Sequence, residues 1–172
     1  MSIRPILIHP DPRLRKVVPA IETVDADVRK LADDMLQTMY DAPGIGLAAP
    51  QVGAMQRLFV MDCDPESSEA TAFVCINPEI TWTSETRGAS EEGCLSIPDY
   101  YAYVERYESI RLAFTDLDGA RHEKEFDERW AVCVQHELDH LNGTLFIDYL
   151  SAVRRTMVTQ KMKKLKKERA RA

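Results

Sequence analysis

Two histidines four residues apart around a glutamate, His136-Glu137-Leu138-Asp139-His140, limit what this chain can fold into more than any other feature. On an α-helix, residues i and i+4 sit about 40° apart around the axis and about 6 Å along it. The two imidazoles therefore converge on one point only if the segment is helical. Glu137 then lies beside them, placed to reach a water at a metal ion rather than the ion itself. The spacing predicts a helix over about Asp127 to Leu141, stopped at Asn142-Gly143, where glycine suits a left-handed cap. A shuffled chain of this composition would contain the pattern roughly once in a hundred tries, so the motif favours a metal site without deciding it.

A catalytic centre of this kind needs three protein ligands and one open position, and the motif supplies two. Six residues beyond His140, where one peptidase class places a third histidine, stands Phe146. The only acids after His140 are Asp148, on the segment leaving the helix, and Glu168, in a basic tail; neither suits a ligand role. Cys133 lies about 10 Å along the helix axis from His140, which points to core rather than metal. His9, His122, Cys63, Cys75 and Cys94 remain. Cys63 and Cys75 sit in apolar β-like runs, where a thiol behaves as a small buried hydrophobe. His122 alternates with charged residues, and His9 lies in a proline-rich arm. Cys94, in EEGCLSIPD, is favoured: Gly93 permits close backbone approach, and Ser96 with Pro98 suggests a loop rather than a regular strand.

The rest of the chain reads as a frame for this helix. Prolines at 5, 10, 12 and 19 make the first twenty residues an irregular arm. Apolar residues from Asp25 to Tyr40 follow helical spacing, with Asp25 or Thr23 as cap. Residues 41–53, DAPGIGLAAPQVG, hold too much glycine and proline for a helix. Strand-like runs follow at 57–63, 71–80, 101–107, 109–119 and 120–126, with a hairpin turn near Leu117-Asp118-Gly119. The expected class is α+β, with antiparallel strands around a central metal-binding helix, an N-terminal helix and a C-terminal helix. Residues 1–172 read as a single catalytic domain, of which 151–172 form a basic C-terminal helix.

Hydrophobic content of 45% and charged content of 29% are ordinary for a soluble globular protein. No apolar run approaches the roughly 18 residues of a membrane span, and the N-terminus does not read as a signal peptide. Four irregularly spaced cysteines then point to reduced thiols and a cytoplasmic location. The charge is uneven. Nine of the 22 basic residues but one of the 28 acidic residues lie in 151–172, so the first 150 residues carry 13 against 27, a net of −14.

Three stretches in order, GIGLAAPQVG (44–53), EGCLSIP (92–98) and QHELDHLNG (135–143), resemble the three motifs of the peptide deformylases, and the likeness extends over most of the chain. The resemblance implies hydrolysis of the N-formyl group from formyl-methionyl nascent chains, with release of formate. It implies Cys94, His136 and His140 as ligands of one divalent metal, Fe(II) physiologically, with Zn, Ni or Co able to occupy the site. Glu137 is then general base and acid, while Gln51 and the backbone N–H of Leu95 stabilise the oxyanion. The backbone at Gly46 would bind the peptide, and Ile45, Val132 and Cys133 match pocket positions for the methionine side chain. Ser90, Arg129, Trp130 and Tyr101 depart from residues common in the family, which bears on side-chain preference and peptide affinity. Asp139 and Arg106 are expected to pair in support of the motif helix. The expected partners are a formyl-Met peptide and, through the basic helix, the ribosome near the nascent-chain exit, with no membrane and a monomeric state. A metallopeptidase of other specificity keeps the metal helix but lacks its downstream ligand. A nucleic-acid-binding module leaves HELDH and EGCLSIP unexplained.

Overall fold

The strand Leu58–Met61 is apolar at every position because both of its faces are covered. In the computed structural model, which describes residues 1–172, successive side chains of this strand point to opposite sides of a sheet. Leu58 and Val60 pack with Val28, Leu31, Ala32, Met35 and Met39 of the first helix, α1 (Ala26–Asp41). Phe59 and Met61 pack on the other side with Ala131, Cys133, Val134 and Leu141 of α2 (Glu128–Leu141). The motif helix is thus one layer of an α/sheet/α sandwich. Each fully buried Leu or Met of these layers contributes about 1.5–3 kcal/mol relative to exposure.

The sheet has five antiparallel strands in the order β1 (Gly46–Ala48), β2 (Leu58–Met61), β3 (Phe73–Thr83), β6 (Ser109–Thr115), β7 (Arg121–Asp127). A separate hairpin, β4 (Arg87–Cys94) with β5 (Ile97–Tyr107), closes the other flank of α2. A third helix, α3 (Ala152–Arg171), follows a 3₁₀ turn at Phe146–Tyr149. Its Val158 and Met162 join Ile8, Leu14, Ile97, Val104, Phe146 and Ile147 in a second core. The α+β class, the helix near 25–40, the motif helix and the terminal helix all stand as expected. Asp25 caps α1, accepting from Val28 N at 2.9 Å.

Two expectations change. Residues 87–94, unassigned by pattern, form β4. Cys94 is the last residue of that strand rather than part of a loop: it pairs with Ile97 across a two-residue turn, Leu95-Ser96. Strand β5 accordingly begins at Ile97, four residues before the run at 101–107. The arm, irregular as expected, is a strap. Its backbone donates from Leu7 to Gln51 O, from His9 to Ser96 O and from Val18 to Leu141 O, touching each of the three motif segments. Gly143 ends α2 with φ +74°, and a Cβ there would lie 2.5 Å from Arg15 O of that strap. No helix is long and apolar enough to cross a membrane.

Candidate metal centre

Strand β4 ends where helix α2 passes behind it, and this crossing brings three donors together. The side-chain donor atoms of Cys94, His136 and His140 all lie within 4.8 Å of one another. Cys94 Sγ stands 3.3 Å from His140 Nε2, and a tetrahedral ion with usual metal–sulfur and metal–nitrogen lengths would place them roughly 3.6 Å apart. His136 gives its Nδ1 to Glu92 Oε1 at 2.8 Å, which leaves Nε2 free to face the group. Of the five upstream candidates for the third donor, only Cys94 reaches the histidines. Cys63 and Cys75 are buried in the core, and His122 pairs in the open with Asp116 at 2.5 Å. His9 bonds Thr159 of α3 at 2.9 Å. Asp148 is taken by Arg15 at 2.6 Å. One thiol and two imidazoles, with no fourth side chain among them, fit a divalent ion that keeps a position open.

The two imidazoles are shifted in opposite directions. Burial would lower His136, but its hydrogen bonds with Cys94 and Glu92 outweigh this and raise it well above the ordinary value. Burial and the neighbouring His136 charge lower His140 instead. Glu137 is buried, and its Oε2 has no hydrogen-bond partner. Burial, the largest influence, pushes its carboxyl up to about 7, the range in which a general base works best near neutral pH.

The other singled-out residues fall around this group. Gln51 is buried; its Oε1 accepts from Ala48 N at 2.8 Å, and its Nε2 donates to Ser96 Oγ at 3.1 Å and to Cys94 Sγ at 3.6 Å. Leu95 occupies the hairpin turn next to Cys94, and its side chain covers Gly44. Gly46, on the edge strand β1, passes directly over α2: an added Cβ would lie 2.5 Å from Glu137 Oε1 and 2.9 Å from Cys133 Sγ. Only glycine lets this backbone come so close. Ile45 is 38% exposed at the mouth, and its carbonyl accepts from Asp62 N at 2.8 Å and from Cys133 Sγ at 3.7 Å. Val132 and Cys133 line the same cleft, whose volume is about 980 Å³. That is ample for a methionine side chain and several further residues.

The departures separate by position. Ser90, Tyr101 and Arg129 line the cleft, the Tyr101 ring lying against Gly93. The guanidinium of Arg129 donates to Cys63 O. Trp130 instead packs on Phe73 and Phe126, with ring centroids 5.6 and 6.2 Å away, outside the cleft lining. The pair Arg106–Asp139 forms as expected at 2.7 Å. Sequence reasoning missed Glu92 and Ser96. A carboxylate directly before Gly93-Cys94 was a signal, but its partner lies 44 residues away.

Comparison with known proteins agrees with this geometry. The family model described as polypeptide deformylase matches residues 3–156. The peptide deformylase of Mesorhizobium japonicum is 55% identical over 170 residues, covering 99% of this chain and 97% of the relative. That of Rhizobium meliloti is 53% identical over 169 residues, covering 98% and 97%. Among solved structures, a peptide deformylase from Legionella pneumophila superposes with a TM-score of 0.92 at 43% identity, covering 99% of each chain. One from Ehrlichia chaffeensis, in complex with actinonin, superposes with a TM-score of 0.89 at 40% identity, covering 95% of this chain and 98% of that one.

Proposed function

The chain belongs to the polypeptide deformylase family and is a metallohydrolase that removes the N-terminal formyl group of polypeptides; from that premise we propose how its residues divide the work. Cys94, His136 and His140 hold one divalent ion, and the observation that carries this is the convergence of their donor atoms within 4.8 Å. When bound, the ion supplies a Lewis acid that polarises the formyl oxygen and acidifies water beside it. Glu137, buried and with a free oxygen, takes the proton of the attacking water and returns it to the leaving amine. One amide hydrogen of Gln51 turns from Cys94 Sγ toward the formyl oxygen, joined by the Leu95 N–H. The substrate backbone runs along Gly46, and its methionine side chain enters between Ile45, Val132 and Cys133. The soft thiolate suits iron as well as zinc, and we assign Fe(II) as the native ion, with Cys94 open to oxidation.

Residues 1–172 act as one catalytic domain in a monomer of the cytoplasm. The basic helix α3, most of it exposed, meets ribosomal RNA and protein near the nascent-chain exit by charge. The test of the whole reading is anaerobic purification, metal analysis and formate release from a formyl-Met peptide. One ion per chain and formate release are expected, with no cleavage of the acetylated or free peptide. A Cys94→Ala variant that still holds a full equivalent of metal would overturn the ligand assignment.

A further inference from the structure

The most deeply buried cation away from the metal donors is Arg106, 5% exposed on β5 between the apolar positions Ala102 and Val104 on one side and α2 on the other. A buried guanidinium is costly unless it is paired in good geometry. Here Nε and Nη2 donate to the two oxygens of Glu92 at 2.8 and 2.9 Å, and Nη1 donates to Asp139 Oδ2 at 2.7 Å. Its face lies 4.9 Å from the ring centroid of Tyr149, whose hydroxyl donates to the same Asp139 oxygen at 2.8 Å. Glu92 Oε1 in turn accepts from His136 Nδ1 at 2.8 Å. A continuous chain of polar contacts thus runs from Tyr149, three residues before α3, to one metal-ligating imidazole. No step of the hydrolysis outlined above uses it.

We propose that Arg106 and Tyr149 are positioning residues for the metal centre, acting through Glu92 to hold His136 with Nδ1 as donor and Nε2 turned toward Cys94 and His140. A carboxylate on the far nitrogen fixes both the tautomer and the ring plane of a ligating histidine. Glu92 can do this only if its own two oxygens are held, and Arg106 holds both. Arg106 in turn is kept in plane by Asp139 and covered by Tyr149. No protein group bonds His140 Nδ1, so among the protein's own contacts only His136 is oriented through its far nitrogen. The inference rests on the metal reading above.

The test uses the full-length chain freed of metal and titrated with cobalt(II), followed by the thiolate-to-cobalt absorption band. Tyr149→Phe removes one hydroxyl and keeps the ring; Arg106→Lys keeps the charge and loses the fork. Arg106→Lys is expected to weaken cobalt binding about 10–100-fold and to shift the band. Tyr149→Phe, at a half-exposed residue whose hydroxyl acts through Asp139, is expected to do the same to a smaller, measurable extent. In both, kcat for a formyl-Met peptide falls and KM stays. Thermal unfolding of the metal-free Tyr149→Phe protein should match that of the parent, which separates positioning from folding. Should Arg106→Lys fail to fold, Tyr149→Phe decides alone. Wild-type cobalt affinity and an unshifted band in a folded Tyr149→Phe protein would overturn the proposal. Absence of a one-to-one cobalt complex in the parent itself would instead overturn the metal reading.

Discussion

Helices α2 and α3 are both continuous and both carry many polar and charged side chains, yet they hold them in opposite ways. Eight of the fourteen residues of α2 are buried, among them His136, Glu137 and His140. Only Val158 and Met162 are buried among the twenty of α3. On α2 the polar groups are held within a few ångström of one another, so what each contributes depends on placement. On α3 every lysine and arginine except the half-buried Arg155 is exposed, and there a field summed over many charges outweighs any single one. Placement on α2 comes with burial; summed charge on α3 comes with exposure.

That contrast can be broken most severely at Glu137. Glu137→Ala should keep one metal ion per chain and lower kcat about 10²–10⁴-fold, measured by formate release beside metal analysis. A loss below tenfold would put the base elsewhere. Next comes the backbone that faces it. Gly46→Ala forces β1 and the Glu137 carboxylate apart, and a displacement near 1 Å should lower turnover about 10²-fold with metal content unchanged. Ordinary turnover in that variant would mean that the close approach is not needed.

Changes at α3 are expected to leave chemistry alone. Replacing the exposed Lys163, Lys164, Lys166 and Lys167 with glutamine should weaken ribosome binding and flatten its salt dependence by about one unit for each phosphate no longer neutralised. Short-peptide deformylation should stay within about twofold. Truncation after residue 150 is a poorer probe, because it strips Val158 and Met162 from the second core. Unchanged binding in the four-lysine variant would remove the docking role.

The smallest effect tests how α3 is held. His9 of the strap bonds Thr159, and burial first, then Arg15, Lys166 and Lys163 nearby, lower its pKa to about 4 against an opposing pull from Asp148. Protonation therefore favours the unfolded chain: stability is full above about pH 6.5 and falls as pH drops from there toward 4. Between pH 7 and 5 the unfolding midpoint of the parent should drop on the order of 2–4 °C more than that of His9→Asn. Equal drops would remove His9 from the account.

How much of this was legible in the sequence follows from how local each signal is. The motif helix, α1 and its Asp25 cap, the Gly143 stop and the turn at 116–119 depend on neighbours within a few residues. They stand within one or two residues of expectation. Strand β4, RGASEEGC, was invisible because it has a partner on one side only and carries no apolar alternation. Cys94 could be ranked above its rivals by its setting, but its distance to His140 is a product of the β4–α2 crossing, which no local pattern encodes. Glu92 and Ser96 were missed for the same reason. Each acts on a residue more than forty positions away.

The bare backbone at Gly46 sets a limit on how this cleft can drift. An added Cβ there would lie 2.5 Å from Glu137 Oε1, so a side chain at this position must displace the Glu137 carboxylate. The mouth, formed by side chains such as Ser90, Tyr101 and Arg129, is open to replacement. A ligand that takes its affinity from the Gly46 backbone would rest on atoms that no side-chain substitution removes. One that leans on the mouth would rest on side-chain atoms that a substitution there changes.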